Sequence, residues 1–314
     1  MKEAKLSVIL ATDSYSTIRR VVERWRRQDI RDQIEIVLVA PSSEAVSEAL
    51  VHRDDFAGIQ IVTDPVTALP PARAAGIRAA TAPLVFVGET HSYPLPGFAK
   101  TIVESFSDGW SLVTPSFANA NPKGVLSWAG FLSDYGRWAE CLPAGEISEA
   151  PIYNAAYRTS VLVQLGDTLV AALSYGDLLS LTLRGGGHRV LFRPEATLEH
   201  VNVSRPWHWV KERFVAGLVI ASSRVTHWSL VRRAAYIPGS ILIPIVLFWR
   251  IMPGVLGTVR KKRLPWATIP VIVAGMIIKA AGEMAGYAGL GSRAAVREMH
   301  KYEIYRFAYV RPGE

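Results

Sequence analysis

The sequence predicts an α/β protein in which a mostly parallel central sheet, flanked by helices, is followed by a hydrophobic helical region. Two observations lead to this fold class. Over the first hundred residues, short apolar runs alternate with helical patterns, as is typical of a parallel sheet. In the last third, two uncharged stretches at 237–249 and 264–278 have the composition of buried or membrane-associated helices.

The alternation is regular up to residue 87. Apolar runs with the length of buried strands lie at Leu6–Ala11, Ile34–Val39, Ile59–Val62 and Leu84–Val87. Helical patterns separate these runs: one places Ile18, Val21, Val22 and Trp25 on one face, a weak one includes Ala45–Leu50, and an alanine-rich one spans Pro71–Ala80. Because the connections are short, we expect right-handed crossovers between parallel strands.

The middle of the chain is less regular. Strands are expected at Trp110–Thr114 and at His188–Phe192. One helical stripe, typical of a core, carries four aromatic residues: Trp128, Phe131, Tyr135 and Trp138. A helix expected at Leu178–Leu183 ends at Gly185–Gly187, a glycine run that lacks the Lys-Ser/Thr ending of a phosphate-binding loop.

A polar edge follows the fourth expected strand. Leu84–Val87 runs directly into Gly88-Glu89-Thr90-His91. Ligands of open α/β sheets bind beyond the carboxyl ends of the strands, so Glu89 and His91 are candidates for holding a metal ion or a phosphate-bearing ligand. The alternative is structural, with Glu89 as a solvated loop carboxylate and His91 as a hydrogen-bonded turn residue.

Composition and charge restrict the class of partner. The chain of 314 residues has a formal net charge of +8, is half hydrophobic and has a mean hydropathy of +0.19. The basic excess indicates an anionic partner, and nucleic acid is disfavoured because the basic residues cluster around apolar segments. The single cysteine, Cys141, permits no internal disulfide, and no signal peptide is expected, which together favour a reducing, cytosolic setting.

Five motifs occur in an order that resembles one known family. They are Ser7–Thr12, Glu35–Val39, Ala72–Gly76, Val85–His91 and Pro94–Phe98. Together they resemble the family 2 glycosyltransferases of the GT-A fold, which transfer a sugar from a nucleotide-sugar with inversion. The resemblance is most specific in Ala-Arg-x-x-Gly at residues 72–76 together with Pro-x-Pro-Gly-Phe at residues 94–98.

The resemblance implies a set of site residues. Donor-binding positions would be Ala11, Thr12, Asp13, Arg73, Glu89, Asn154, Arg158, Arg205 and Trp207, and metal ligands would be Glu89, His91 and His200. A buried structural role is the alternative for His200. Asp177 corresponds to the family's general base, although as a favoured N-cap residue it also suits the start of the following helix.

The sequence departs from the family pattern at three places. Glu89-Thr90-His91 replaces the family's Asp-x-Asp, Gly176 stands where an acid usually precedes the base, and Ala40-Pro41 lacks the usual acidic contact to the nucleotide base. Mg²⁺ prefers oxygen ligands, whereas a transition metal accepts imidazole. The triplet therefore favours Mn²⁺ over Mg²⁺, or a metal-free site neutralised by arginines.

The hydrophobic C-terminal region is expected to associate with a membrane. Its two segments, at residues 237–256 and 264–290, are separated by the basic run Arg260–Arg263. A hairpin that enters the cytoplasmic leaflet and returns would leave all the basic flanks on one side, at anionic headgroups. Two full spans are the alternative, with Arg250 and Lys279 extended toward the interface.

These features predict two domains, a GT-A catalytic domain over residues 1–215 and a membrane-associated helical region over residues 216–314. The predicted function is transfer of a sugar, with inversion, from a UDP- or GDP-sugar to an acceptor, using Mn²⁺ or Mg²⁺. The membrane region suggests a lipid or lipid-linked acceptor and a cytoplasmic catalytic domain. The alternative is a non-catalytic relative that binds a nucleotide-sugar or a lipid, and no nucleic-acid partner is expected.

Overall fold

The chain divides into two compact units in the computed structural model. The structure describes residues 3–139, 142–174, 176–225 and 228–314, without the side chains of residues 176–178, 180, 181 and 292. The first unit comprises residues 1–118 and 140–199, and the second comprises residues 119–139 and 200–314. The expected division at residue 215 differs from this one, because residues 119–139 and 200–215 cluster with the C-terminal helices.

A nine-stranded sheet forms the centre of the first unit. Its strands are β1 (Leu6–Ala11), β2 (Ile34–Ala40), β3 (Gly58–Thr63), β4 (Leu84–Val87), β5 (Ser92–Pro94), β6 (Leu112–Asn119), β7 (Gly145–Ile147), β8 (Ala155–Arg158) and β9 (Val190–His200). The strand order is β3-β2-β1-β4-β8-β6-β9-β5, with β7 paired to β9. The unit boundary falls inside β6 and β9, since Asn119 and His200 are their last residues.

The first four strands are parallel, as the alternating pattern predicts. β1 lies between β2 and β4, so that Ile9 is paired with Val37 on one side and with Val87 on the other. β8 then pairs antiparallel with both β4 and β6. The carboxyl ends of β1, β2 and β4 therefore share one edge of the sheet, and the residues that precede β8 reach that same edge.

Helices flank this sheet and bury its apolar faces. They are α1 (Tyr15–Arg26), α2 (Leu69–Ala79), α3 (Phe98–Glu104), α5 (Thr159–Val163), α6 (Leu169–Ser174) and α7 (Gly176–Gly185). Gly76 allows α2 to approach the sheet, because a Cβ atom there would lie 2.5 Å from the Ile9 side chain and 2.8 Å from that of Val39. On the other side, the rings of Trp25, Phe86 and Phe98 pack at centroid distances of 5.3–5.7 Å.

Helices alone build the rest of the second unit. They are α4 (Val125–Asp134), α8 (Pro206–Val225), α9 (Leu230–Gly239), α10 (Ile243–Lys261), α11 (Thr268–Tyr287) and α12 (Ser292–Ile304). The α8 and α11 backbones touch, since a Cβ on Gly217 would clash with the Lys279 carbonyl and one on Gly282 with the Phe214 carbonyl. Close helix contact through small residues is common between membrane helices but also occurs in soluble cores.

Within the residues that the structure describes, two helical segments are long and apolar enough to cross a membrane, by length and composition alone. They are Leu230–Lys261, with 32 residues, and Thr268–Tyr287, with 20 residues. Only 17% of the most apolar window in the first segment is buried, against 39% in the second. The first segment therefore presents most of its apolar surface outward, unlike the core helix of a soluble protein.

The expected elements are found with shifted boundaries. β1 and β4 span the predicted residues, whereas β6 and β9 extend further toward the C-terminus than Trp110–Thr114 and His188–Phe192. The weak helix expected around residue 47 is instead a run of 3₁₀ turns over Glu44–Asp55. The short strands β5, β7 and β8 were not predicted, because three or four residues carry too little periodicity.

Candidate functional site

The chain leaves β4 through a close backbone contact with β1. The Gly88 N–H donates a hydrogen bond to the Ile9 carbonyl over 3.0 Å. A Cβ atom on Gly88 would lie 2.8 Å from the Leu10 side chain and 3.3 Å from the Ile9 carbonyl oxygen, so a larger residue would displace the chain here. Glu89 is thereby held at the carboxyl edge of the sheet, next to the end of β1.

Glu89 is a buried carboxylate with protein hydrogen-bond donors. It is 5% exposed, and its Oε2 atom accepts hydrogen bonds from the Ser92 hydroxyl over 3.1 Å and from Asn154 Nδ2 over 2.6 Å. The Nε2 atom of buried His91 lies 3.5 Å from the same oxygen. The alternative of a solvated loop carboxylate is therefore wrong for Glu89.

Asn154 reaches this edge in a left-handed backbone conformation. Its φ angle is +59°, which an asparagine tolerates better than most residues, and its N–H donates to the Val87 carbonyl over 2.6 Å. The Nδ2 atom of its side-chain amide donates a hydrogen bond to Glu89. The Oδ1 atom of the same amide is buried and has no hydrogen-bond partner among the described residues. The unpaired oxygen is an acceptor that a ligand hydroxyl or a water could satisfy.

Arg73 is a buried cation whose hydrogen bonds are incomplete. It projects from α2 and is 3% exposed, yet its Nε and Nη1 atoms have no hydrogen-bond partner among the described residues. The guanidinium carbon lies 3.5 Å from the centroid of the Tyr153 ring, which holds the group by a cation–π contact. A buried guanidinium with unpaired donors is costly unless an anion binds it, so this residue indicates an anionic ligand.

Two buried side chains of the first unit could serve as ligands of a metal ion. Glu89 Oε2 and His91 Nε2 lie 3.5 Å apart at the carboxyl edge of the sheet. Ligand atoms around one cation at about 2.1 Å lie roughly 3–4 Å apart, so this spacing suits a shared ion. A carboxylate with an imidazole suits a transition metal better than Mg²⁺, which agrees with the preference inferred from the triplet. His200 belongs to the second unit, and its role as a ligand stays a prediction.

The segment after β1 is tied into the sheet and into α1. The Thr12 N–H donates to the Val39 carbonyl over 2.9 Å, and Ala11 and Thr12 are buried. The Asp13 carboxylate accepts a 2.7 Å hydrogen bond from the Thr17 hydroxyl, within the first turn of α1. Ala11 and Thr12 thus border the edge through their backbone, while the Asp13 carboxylate has a local structural partner.

Arg158 does not join this cluster. β8 runs antiparallel to β4, so Ala155 pairs with Val87, whereas Arg158 pairs with Leu84 at the opposite end. Its guanidinium donates to the backbone carbonyls of Trp110 and Phe106 over 2.8 and 2.6 Å. Arg158 follows Asn154 by four positions, a step of about 13 Å in a strand, so the two side chains do not share one edge of the sheet.

Three expected site residues need separate description. The backbone of Asp177 lies in the first turn of α7, but its side chain lies outside the described residues, so its role as base stays a prediction. Arg205 and Trp207 belong to the second unit, where the Arg205 Nε donates to the Val310 carbonyl over 3.0 Å and Trp207 is 71% exposed. Their role in donor binding also stays a prediction.

Tyr153 and Ser92 are contributors that the sequence analysis missed. Tyr153 places its ring on Arg73, and Ser92 donates to Glu89. Both adjoin residues that the motifs did select, Asn154 and His91. Neither residue type is distinctive by itself. Their positions next to a motif, at the edge of a strand, could have indicated them.

Comparisons with known proteins support the fold. No protein-family model matches the chain, and no curated protein matches it. Among solved structures, it is similar to the mannosyltransferase PcManGT from Pyrobaculum calidifontis in complex with GDP-Man and Mn²⁺, with 15% identity over 90% of this chain and 88% of that chain and a TM-score of 0.55. It is also similar to S. aureus TarS 1-349 in complex with UDP, with 14% identity over 97% and 92% of the two chains and a TM-score of 0.48.

The two structural similarities do not support the same conclusions. At 15% identity, the first shows that the chain shares a mixed α/β fold with a glycosyltransferase, and no more than the fold. The second has too low a TM-score to support an argument. What the chain binds must therefore be inferred from its own residues.

Proposed function

We propose that this protein is a GT-A glycosyltransferase that moves a sugar, with inversion, from a UDP- or GDP-sugar to an acceptor. The observation that carries the proposal is Arg73, a buried guanidinium at the carboxyl edge of the sheet. Two of its nitrogens have no hydrogen-bond partner in the described part of the chain. A nucleoside diphosphate supplies the anionic oxygens that would pair with it. The fold shared with a mannosyltransferase supports the same conclusion.

Glu89 and His91 are the residues of the first unit that would hold a divalent metal, and the resemblance to the family adds His200 as a third ligand. When bound, Mn²⁺ would stabilise negative charge on the diphosphate as it leaves the sugar. The hydrogen bond from Asn154 orients the Glu89 carboxylate. We assign Arg73 to the diphosphate, the Asn154 amide oxygen to a hydroxyl of the donor, and the segment Ala11–Asp13 to the nucleoside.

Inversion requires a base on the acceptor side. In the proposed reaction the acceptor oxygen forms a bond to the anomeric carbon while the bond from that carbon to the diphosphate breaks. Asp177 would take the proton of the acceptor hydroxyl, which leaves a neutral glycoside and a nucleoside diphosphate. Arg205 and Trp207 would contact the donor or the acceptor.

Nucleoside diphosphate release from a panel of UDP- and GDP-sugars tests this function in the full chain, purified in detergent. Arg73→Gln should weaken donor binding, measured by calorimetry, about 10- to 100-fold, while Arg78→Gln should not. Arg78 is the matched control, because it lies on the same helix but is exposed and donates to the Gly166 carbonyl. Equal binding by both variants would contradict the assignment.

The same assays separate a transferase from a binding protein. Donor binding together with turnover that Asp177→Asn removes would support catalysis. Donor binding without turnover on any sugar or acceptor would instead favour the non-catalytic relative. Absence of binding to every UDP and GDP ligand would overturn both.

We further propose that the second unit binds an anionic membrane surface from the cytoplasmic side, which would bring a lipid or lipid-linked acceptor to the enzyme. Large apolar side chains along the first hydrophobic segment are exposed, including Ile245, Val246 and Trp249. The basic run Arg260–Arg263 follows at its end and is also exposed. Exposed apolar side chains next to cations are the combination that binds anionic lipid surfaces.

Flotation with liposomes tests the membrane proposal. Trp249→Glu should weaken binding to liposomes that contain an anionic phospholipid, whereas Val51→Glu, at an equally exposed position of the first unit, should not. High salt should weaken binding as well, since the cations contribute through screened charge. Equal flotation of the two variants would overturn the proposed surface.

A further inference from the structure

We propose that neither hydrophobic segment of the second unit crosses the bilayer, and that the helical run Leu230–Trp249 lies in the plane of one leaflet. The inference rests on the proposed membrane binding and goes beyond it by assigning the orientation of the bound segment. It follows from the packing of α11 and from the distribution of apolar and charged side chains along α9 and α10.

One side of α11 is covered by the second unit along the whole helix. Buried residues recur at every turn: Thr268, Ile272, Met276, Ala280, Glu283 and Tyr287. Part of the cover is α8, because a Cβ atom on Gly275 would lie 3.0 Å from the Trp209 ring. Eleven residues further along α11, a Cβ atom on Gly286 would lie 2.5 Å from the Ala221 side chain. A membrane-spanning α11 would therefore take α8 into the bilayer beside it.

The charges on α8 exclude it from hydrocarbon. Lys211, Glu212 and Arg213 are consecutive. The Lys211 ammonium lies 2.6 Å from a carboxylate oxygen of Glu298 on α12, and the Arg213 guanidinium lies 2.6 Å from one of Asp134 on α4. Ionised side chains are costly at the centre of a bilayer, and these pairs would bring two further helices with them. We conclude that α11 does not cross.

The first hydrophobic segment cannot cross either, because it is joined to α11 by a short connection. α10 ends at Lys261 and α11 begins at Thr268, which is already buried in the second unit. A crossing first segment would deliver Thr268 to the far side of the membrane. Both ends of the first segment therefore lie on the same side.

The exposed large apolar side chains of the first segment lie on one side of it. This apolar stripe consists of Leu230, Val231, Ile241, Leu242, Ile245, Val246 and Trp249, each more than 50% exposed. At about 100° per residue these positions fall within an arc of about 160°, and at about 1.5 Å per residue the stripe is about 28 Å long. A stripe with this shape meets hydrocarbon along its whole length only when the helix lies in the membrane plane.

Exposed cations border the apolar stripe. Arg232 and Arg250 are 18 residues apart, about five helical turns, so both lie along the same edge of the stripe. The Arg232 guanidinium carbon lies 4.2 Å from the centroid of the Trp228 ring, a cation–π contact that holds the side chain there. In the in-plane orientation both arginines reach the headgroup layer together with the basic run Arg260–Arg263.

Charge favours a lipid leaflet over a second copy of this chain as the partner of the stripe. Residues 225–282 contain no Asp or Glu, while Lys or Arg occupies positions 232, 233, 250, 260–263 and 279. Two copies that met through their stripes would bring these like charges together, whereas anionic phospholipids supply the opposite charge.

Depth measurements on the full chain test the orientation. In a Cys141→Ser background, Leu230→Cys, Ile241→Cys and Trp249→Cys each carry an environment-sensitive fluorophore, and Val51→Cys in the first unit is the control. On vesicles of phosphatidylcholine and phosphatidylglycerol, spin-labelled lipids should place the three stripe labels at one depth, about 5–10 Å below the headgroups, and should not quench the control. An Ile241 label deeper than both others, as in a hairpin, or a steady change in depth along the stripe, as in a span, would overturn the inference.

The side on which the basic run lies supplies a second test. Lys261→Cys and Val296→Cys, both at exposed positions of the second unit, are treated with a membrane-impermeant maleimide in intact and in lysed cells of a bacterial host. Both should react only after lysis, and reaction of Lys261→Cys alone in intact cells would overturn the inference.

Two further outcomes separate this inference from the other proposals. Stripe labels that are shielded from water without vesicles, and that spin-labelled lipids do not quench, would assign the stripe to a second copy and overturn the inference. Neither measurement needs sugar transfer, so absent turnover combined with three labels at one shallow depth would contradict the proposed enzyme and support the in-plane orientation.

Discussion

Two arginines with similar burial differ in how completely the protein satisfies them. Arg73, in the first unit, is 3% exposed, and two of its nitrogens have no hydrogen-bond partner among the described residues. Arg213, in the second unit, is 5% exposed and donates to both carboxylate oxygens of Asp134 over 2.9 and 2.6 Å. The difference separates a cation that stabilises the fold from one that is available to a ligand.

The surroundings of Arg213 form an ion network. Glu212 accepts hydrogen bonds from Arg213 over 2.9 Å and from Arg306 over 2.7 Å, and Arg306 also donates to Glu303 over 2.8 Å. Burial alone would lower the pKa of Arg213, but the carboxylates of Asp134 and Glu212 outweigh it and raise that pKa. Each charge in this network therefore has a partner of opposite sign, whereas no carboxylate of the residues that the structure describes forms an ion pair with Arg73.

The largest expected effect is on folding, at Arg213. Arg213→Met leaves Asp134 and the buried carboxylate of Glu212 without this partner, and breaking the buried Arg213–Glu212 pair from one side costs about 3–5 kcal/mol. The apparent free energy of unfolding, from denaturant titration in detergent, should fall by about that amount. An unchanged value would show that the network does not stabilise the protein.

Arg73→Met should affect ligand affinity and leave the stability of the fold unchanged. It removes no hydrogen bond that Nε or Nη1 makes to a described residue, so the free energy of unfolding should stay the same or rise slightly. Affinity for UDP or GDP should fall about 10- to 100-fold, since hydrogen bonds to a charged group contribute about 1.5–3 kcal/mol each. A loss of stability as large as that of Arg213→Met would remove the distinction between the two arginines.

Low pH should reduce the contribution of Asp134 to the free energy of unfolding. Burial raises the pKa of this carboxyl group, but the Arg213 guanidinium outweighs burial and the pKa is lowered overall. A lowered pKa stabilises the fold above the unfolded-state value of about 3.9 and loses that contribution as the pH falls through the folded-state value. The difference in unfolding free energy between the natural sequence and Asp134→Asn should thus be largest near neutral pH and shrink below about pH 4. A difference that grows in acid would contradict this assignment.

The smallest effect is expected at Tyr153, whose ring holds Arg73. Tyr153→Leu removes a cation–π contact worth about 1 kcal/mol, so donor affinity should fall about fivefold. Tyr153→Phe is the control, because it keeps the ring while losing the hydrogen bond from the hydroxyl to the Leu173 carbonyl. Equal losses in the two variants would assign the effect to the hydroxyl.

Much of the first unit could be predicted because its signals are local. β1 and β4 are runs of apolar residues with polar residues directly after them, and their boundaries match the prediction. Arg158 was expected next to Asn154 in the donor site, but β8 places the two residues toward opposite edges of the sheet. Residues 119–139 belong to the second unit because contacts between distant segments define a unit. Local composition does not show those contacts.

The sequence by itself determined the alternation of strands and helices, the polar edge after β4 and the hydrophobic C-terminal helices, because periodicity and composition act over a few residues. Only the tertiary structure decided which buried groups are satisfied. Arg73 and Tyr153 lie far apart in the chain, and the Asn154 amide that donates to Glu89 comes from 65 residues away. Hydrogen-bond partners are selected by the folded backbone, so the environment of Arg73 follows from packing.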